Sequence, residues 1–426
     1  MNNATDTLSA KPVDSNSGGG RRSFIVAYVL VTSLFFMWAI ALNLNDILIK
    51  QFEKALQLFR VEASFIQVAF FVAYLILALP AGFVMKRIGL QRTMILGLAL
   101  YGAGAIAFYP AAEIGTFGTF LTALFVMASG IVCLEIAAGA FIVLGGTRER
   151  SAFRINLAQA FNGLGAVVSP IIGGVFIFSG VERSPDQMAK MSSVNLTAFR
   201  ASELHQVQTP YLLIGIVALA IALLIGMTRF PAESLSRAKY PVSYGRLFRE
   251  RAFRGAVAAQ FFHVGAQIAA WSFFIDFVKD ARPDIDERSA AYLLSVSLFL
   301  FMVGRFTGSL LLRYLKAPTV LVAYAVLECC AVVGGVATTG SVSIAFLMAL
   351  SFFMSIMYPT IFALGIAAAG EQTQIGAALM VMAIVGGAVV PPVLGFLADH
   401  VGVHPAYLVL LICFAVVILF GRLARA

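Results

Sequence analysis

Residues 117–146 read FGTFLTALFVMASGIVCLEIAAGAFIVLGG, thirty residues with Glu135 as the only charged side chain. Roughly 20 apolar residues suffice to cross the hydrocarbon core of a bilayer, so the run reads as a transmembrane helix. A carboxylate at that depth costs ~2.5–3.5 kcal/mol on insertion scales and therefore faces a cavity or a partner. Residues 24–49 repeat the design, with Asp46 as the lone charge. Two solitary acids in membrane-length runs point to a path for protons through a transport protein.

The remainder of the 426-residue chain agrees. It is 60% hydrophobic and 12% charged, whereas soluble domains carry about 25% charged residues. The 37 glycines suit closely packed membrane helices. Hydrophobic runs between charged or Pro/Gly breaks give twelve expected spans. In the first half these are 24–49, 62–85, 93–112, 117–145, 154–179 and 210–229. In the second they are 255–279, 288–312, 318–338, 341–368, 374–397 and 403–422. The net charge of +9 follows this layout, which argues against a nucleic-acid partner. With the N-terminus placed in the cytosol, nineteen Lys and Arg fall on the cytosolic side and nine on the other. That bias is the positive-inside signature, and it predicts both termini in the cytosol.

The expected organisation is a disordered cytosolic tail (1–23), a six-helix bundle (24–230), a cytosolic linker (231–254) and a second six-helix bundle (255–426). An internal repeat supports the halving. Gly165-Ala-Val-Val-Ser-Pro-Ile-Ile-Gly173 returns as Gly387-Ala-Val-Val-Pro-Pro-Val-Leu-Gly395, an offset of 222 residues. Parallel halves of this kind surround a substrate site near the midplane. The same offset sets Glu135 against Met357, Gln159 against Val381, Asn162 against Ile384 and Asp46 against Ile268. The first half should therefore supply the hydrogen-bonding wall and the second a more apolar one.

Candidate site residues follow from spacing. Asn43 and Asp46 share a face of the first span, with Trp38 about two turns away. Gln159 and Asn162, three apart in the fifth span, could bond the hydroxyls of a sugar or simply bridge neighbouring helices. Gln260, His263, Gln267 and Trp271 fall near one stripe of the seventh span. Trp271 could stack on a sugar ring, whereas His263 reads more readily as an interhelical donor. Arg305 suggests snorkelling or a gating salt bridge. Glu328 has no assigned role beyond packing. For the proton, Glu135 is the stronger carrier, since an apolar surround favours the neutral carboxyl group. Asp46 could instead pair with Lys50.

The four cysteines lie in hydrophobic segments without metal-ligand spacing. There is no P-loop, HExxH or CxxC pattern, and Gly102-Ala-Gly104 lacks the strand that a dinucleotide fingerprint needs. The chain is therefore expected to be no enzyme and to need no cofactor, with the proton as coupling ion. Its expected partners are a monosaccharide, protons and the lipid bilayer, and it is expected to be a monomer.

Several stretches give a family resemblance: Asn45-Asp46 followed by Gln51-Phe52, Tyr109-Pro-Ala-Ala-Glu113, Cys133-Leu-Glu135-Ile-Ala-Ala138 and Phe153-Arg-Ile-Asn-Leu-Ala-Gln-Ala-Phe-Asn162. Val207-Gln-Thr-Pro-Tyr211, Gly265-Ala-Gln267, Gly304-Arg-Phe-Thr-Gly308 and Ser355-Ile-Met-Tyr-Pro-Thr-Ile-Phe362 add to it. Over about residues 24–422 the chain resembles the fucose–galactose–glucose branch of the major facilitator superfamily. That resemblance implies an all-α major facilitator fold of about twelve transmembrane helices in two six-helix halves. It also implies proton-coupled sugar import by alternating access in a bacterial inner membrane. Asp46 and Glu135 match the two essential acids, and Asn162 matches a sugar-contacting amide. Glucose/galactose members tend to carry an amide where this chain has Glu135, which favours the fucose type. One departure stands out: the family's Ala-Ala-Asn-Pro-Phe is Ala137-Ala138-Gly139-Ala140-Phe141 here, removing a helix-kinking proline. A glucose/galactose or N-acetylglucosamine transporter of the same branch and a drug–proton antiporter are the alternatives.

Overall fold

The computed structural model describes residues 25–40, 42–44, 60–176, 191–228, 230 and 244–425. Asp46, Lys50 and residues 231–243 of the expected linker lie outside them. Each of the twelve expected spans holds helix. In the first half these are α1 (Ile25–Leu44), α2 (Arg60–Ile88), α3 (Leu90–Ile114), α4 (Phe117–Leu144), α5 (Ser151–Phe176) and α6 (Gln208–Met227). The second half begins with α7 (Arg251–Ser272), which continues at a 52° bend into Phe274–Ala281. Then come α8 (Glu287–Tyr314) and α9 (Ala317–Ala337). α10 joins Gly340–Met354 to Met357–Ala369, α11 joins Thr373–Met382 to Gly386–Val401, and α12 runs over Val403–Leu423.

Among the described residues, nine helical stretches are long and apolar enough to cross a membrane, or ten with the bent pair. One of them, Gly340–Val401, has 62 residues. A straight helix of that length would reach about 93 Å, three times the ~30 Å hydrocarbon core. The 3-10 turn Gly370–Gln372, with Gly370 at φ 55°, folds it back as two crossings, α10 and α11.

The opening stretch of sequence is the interior helix. In α4, 94% of the apolar window is buried within the protein, against 33–56% in the other candidate spans. A helix that is apolar all round belongs where neighbours cover every face. The other spans leave residues such as Ile216, Leu223 and Phe299 exposed for lipid.

The repeated glycine motif has a matching structural role in both halves. A Cβ on Gly165 in α5 would lie 2.5 Å from the Phe36 carbonyl oxygen of α1. Gly386 and Gly387 in α11 press in the same way against Phe261 and Ile268 of α7. Only a residue without a side chain allows such close approach. The halves meet through α5 against α8 and α2 against α11, two contacts exchanged by the same sixfold shift in helix number.

Candidate functional site

Lys86, Arg87, Arg150, Arg313, Lys316 and Arg422 mark one end of the bundle, called the basic end below. Measured from that end, Glu135 lies nine residues before Leu144 and Arg305 nine before Tyr314. Tyr358 lies eleven before Ala369. At 1.5 Å per residue all three sit roughly 13–17 Å deep, close to the bilayer midplane.

These residues close the basic end by linking the two halves. Glu135, 8% exposed, accepts hydrogen bonds from Tyr74 Oη at 2.8 Å and from Tyr358 Oη at 2.5 Å. Tyr74 belongs to the same half, and Tyr358 to the other. A carboxylate accepts through both oxygens with its full charge, whereas a protonated carboxyl group is a weaker acceptor and carries a proton to donate, so proton uptake weakens the phenol bonds. Tyr358 follows directly on Met357, the repeat equivalent of Glu135.

The second link is Arg305, a guanidinium on α8. Its Nη1 donates to the Gln159 carbonyl oxygen at 2.7 Å, and to Gln159 Oε1 and Asn162 Oδ1, each at 3.3 Å. Its Nε donates to the Ser355 carbonyl oxygen at 3.2 Å, and the guanidinium carbon sits 4.5 Å above the Phe301 ring. Ser355 can accept because Pro359, four residues on, has no N–H to offer it. Arg305 is 5% exposed, so it does not snorkel, and none of its hydrogen bonds among the described residues goes to a carboxylate. The expected snorkel or salt bridge is thereby corrected to a cation held by amide and carbonyl oxygens, whose dipoles replace a counter-ion.

Asn156 supplies a third link, with Nδ2 donating to Thr360 Oγ1 of α10 at 2.9 Å. Asn156, Gln159 and Asn162 stand at spacings of three, so one face of α5 carries both the second and third links. At Gly139, a Cβ would lie 3.0 Å from the Phe362 ring, and α4 continues unbroken through Gly139-Ala140.

Toward the opposite end, a crevice of about 340 Å³ lies between one half and the other, lined by Phe71 and Leu75 of α2, Ile268 and Ser272 of α7, and Ala388 and Pro391 of α11; the expected site residues do not line it.

The other expected site residues are distributed as follows. Asn162 also donates through Nδ2 to the Phe35 carbonyl oxygen at 3.2 Å, so its amide is shared between α1 and Arg305. Gln267 and Trp271 are half-buried on α7. Trp271 Nε1 donates to Ser351 Oγ at 3.1 Å, and its indole meets the Phe301 ring edge-on at 4.9 Å. Asn43 donates to the Ala39 carbonyl oxygen at 2.7 Å, a bond within its own helix. Trp38 is 1% exposed and packs on Phe35 at 4.3 Å, so it stiffens α1 behind the amides and does not line the crevice.

The expectation of an apolar wall in the second half needs correction. Gln260, His263, Trp271, Ser297, Arg305, Ser351, Ser355 and Tyr358 form a polar seam there, with Ser297 Oγ donating to Ser351 Oγ at 2.7 Å. The residue-by-residue offset missed it because it asked only for polarity at identical positions. Tyr74, Tyr358, Asn156 and Thr360 were missed as well. The three-residue spacing of Asn156 with Gln159 was available in the sequence, but tyrosine in an apolar run carries no signal of its own.

Residues 23–383 match the Major Facilitator Superfamily. The L-fucose-proton symporter of Escherichia coli (strain K12) is 42% identical over 429 residues, covering 99% of this chain and 98% of its own length. The glucose/galactose transporter of Brucella abortus biovar 1 (strain 9-941) is 34% identical over 420 residues, covering 98% of each. A crystal structure of a Major Facilitator Superfamily transporter, FucP, in the outward conformation superposes with a TM-score of 0.89 at 41% identity. That superposition covers 95% of this chain and 99% of the other. From its sequence, its helix order and these full-length likenesses, the chain belongs to the Major Facilitator Superfamily.

Proposed function

We propose that this protein imports a monosaccharide, L-fucose or a close analogue, together with a proton, by alternating access of its two halves. The observation that carries this reading is the buried Glu135 joined to Tyr358 of the opposite half. Protonation there acts directly on a contact that must break when the halves rock. The basic end is cytosolic by the positive-inside bias, so the arrangement described above faces outward. The domain boundaries stay as read from sequence, with the chain inserted as a monomer in a bacterial inner membrane and both termini inside.

The steps follow from the geometry. An extracellular sugar enters from the end opposite the basic one and presents hydroxyls to Gln159, Asn162 and Gln267, with Trp271 as the apolar platform for the ring. Hydroxyls compete for the same amide oxygens that Arg305 holds, which loosens the second link. A proton reaching Glu135, with Asp46 of the first expected span as the outer acid, gives the carboxylate a proton to donate and loosens the first. With both loosened, of the three links only the neutral Asn156–Thr360 bond still spans the halves, and the basic end opens to release sugar and proton inside. Asn43 and Trp38 support α1 behind the amides. Relatives that are L-fucose-proton symporters support this reading at 42% and 30% identity. Glucose/galactose transporters at 34% keep a second sugar class in view.

Purified protein in liposomes tests the reading. A panel of L-fucose, D-arabinose, L-galactose, D-glucose and N-acetylglucosamine is offered in counterflow, and medium pH is recorded as sugar is added. L-fucose should exchange best and alkalinise the medium. Preferential exchange of D-glucose would move the protein to the glucose/galactose class. Efflux of apolar drugs without any sugar response would make it an antiporter.

A further inference from the structure

On α7, Gln260 and His263 are fully buried; neither polar atom of Gln260 has a hydrogen-bond partner among the described residues, and the His263 ring has only a loose approach to Gln267, one turn on. They stand three residues apart, hence on one face about 5–6 Å from each other. Leaving a buried polar group unpaired costs about as much as a hydrogen bond is worth, so two such side chains on one turn require a reason. Gln260 lies nine residues from Arg251, the basic-end start of α7, at the same depth as Glu135 and Arg305. His263 is close enough to Arg305 to interact with its charge.

Arg305 is built to pivot. Its Nε bond to the Ser355 carbonyl oxygen and its contact with the Phe301 face both lie within its own half. The tight crossing of α8 and α10 fixes them, since a Cβ on Gly304 would lie 2.6 Å from Ser355 Oγ. Only the Nη1 end reaches across to Gln159 and Asn162. When the halves part, those acceptors leave with α5, and a guanidinium stripped of them would be a buried cation with one hydrogen bond.

We propose that Gln260 and His263 form a second seat for the Arg305 guanidinium, occupied when the basic end opens and Gln159 and Asn162 turn to the sugar. Gln260 Oε1 and the unprotonated ring nitrogen of His263 are the acceptors. The guanidinium thus has two partner sets, one in each half, and a ligand that takes Gln159 and Asn162 drives it from the first to the second. Switching between two discrete arrangements makes the rocking two-state. The seat deepens the transport reading and rests on it for the identity of the ligand.

Spin labels at Glu149→Cys and Lys316→Cys, exposed positions at the basic end of opposite halves, report opening by pulsed EPR in an otherwise cysteine-free full-length chain. Measurements are made without ligand and with L-fucose or D-glucose. Replacing His263 or Gln260 by Leu should lower the open fraction about tenfold in both conditions, the worth of one buried bond to a charged group. His263→Gln keeps an acceptor and should stay within about twofold of wild type. Adding Arg305→Gln to His263→Leu should erase the defect relative to Arg305→Gln alone, because no cation then needs the seat. An unchanged open fraction in His263→Leu overturns the proposal. So does equal loss in His263→Gln, or a defect that survives removal of Arg305. If neither sugar moves wild type, the sugar assignment fails, while the ligand-free comparison still decides on the seat.

Discussion

The two faces that meet at the midplane handle their polar groups in opposite ways. On the first half, Glu135 and Gln159 are buried and engaged across the interface, and Asn162 is engaged there while half-buried. On the second, Gln260 and Glu328 are buried without partners among the described residues, and His263 has only a loose approach to Gln267. A buried donor or acceptor left unpaired is costly, and native proteins keep few of them. The first face is the better satisfied of the two in the conformation seen here, with Asn156 Oδ1 its unpaired atom, whereas the second holds more capacity in reserve. A carrier that must be stable in two conformations cannot satisfy every group in either one, so polar groups unpaired in one state mark where the other state forms its bonds. Glu328 of α9 is likewise buried without a partner among the described residues, and nothing in the structure explains it.

The largest effect should come from the engaged face. Glu135→Gln keeps the size and hydrogen-bonding capacity of the side chain but cannot exchange a proton. Liposomes carrying it should still exchange L-fucose in counterflow, yet no longer raise internal sugar above the external level under an imposed pH gradient. Accumulation at the wild-type level would remove Glu135 from the coupling path and leave the comparison without its functional side.

Next in size are the amides. Asn162→Ala and Gln159→Ala each remove about one hydrogen bond to a sugar hydroxyl, worth ~1 kcal/mol and hence about fivefold in affinity. Both also remove an acceptor from Arg305, so binding measured by tryptophan fluorescence should weaken while the basic end opens more readily without ligand. A mutant that weakens binding without loosening closure would show that the amides serve the sugar alone. Tyr358→Phe sharpens the point from the other side. It deletes the inter-half donor to Glu135 and leaves the ring, at a cost to closure of roughly 1.5–3 kcal/mol for a bond to a charged group. Hydrogen exchange at the basic ends of α4 and α10 should accelerate.

How much of this was visible in the sequence depended on the kind of signal. The helices were legible, because apolar runs of membrane length have few other uses, and all twelve expected spans hold helix. Glu135 was legible as a lone acid in thirty residues. The repeat at Gly165 and Gly387 was legible because close helix crossings tolerate so few residues. What the chain did not disclose was pairing between helices. Tyr74 and Tyr358 became meaningful only when folding set both phenols against one carboxylate. The offset of 222 compared positions one to one, so it missed a polar seam whose members occupy different positions in the second half. Asp46 was read as the outer acid, and it lies outside the described residues.

Gly139 tests whether the contact between halves is as close as drawn. The family's asparagine at this position would place a Cβ 3.0 Å from the Phe362 ring. Gly139→Asn should therefore push the halves apart at the basic end, at an overpacking cost of about 1–3 kcal/mol. The open population of the spin-labelled chain should rise. Shortening Phe362 in the same chain should restore closure, and failure to do so would place the strain within α4 itself.

The smallest effect belongs far from the interface. At the end opposite the basic one, Arg282 donates to both oxygens of Asp284, at 2.7 and 2.5 Å, and to Ser341 Oγ at 2.9 Å. The hydrogen bond from Arg282 holds the Asp284 carboxyl below its ordinary value. A depressed acid stabilises the folded state above its unfolded pKa, and that contribution fades as pH falls through the folded one. Both groups are exposed to water, so the contribution is small and is screened further by salt. Asp284→Asn should shift the thermal unfolding midpoint by no more than about two degrees at neutral pH, and by less in acid or high salt. Sugar exchange should be unchanged. A transport defect in this mutant would mean that the loop after the bent end of α7 participates in opening, and that the division between an engaged midplane and a passive rim is drawn in the wrong place.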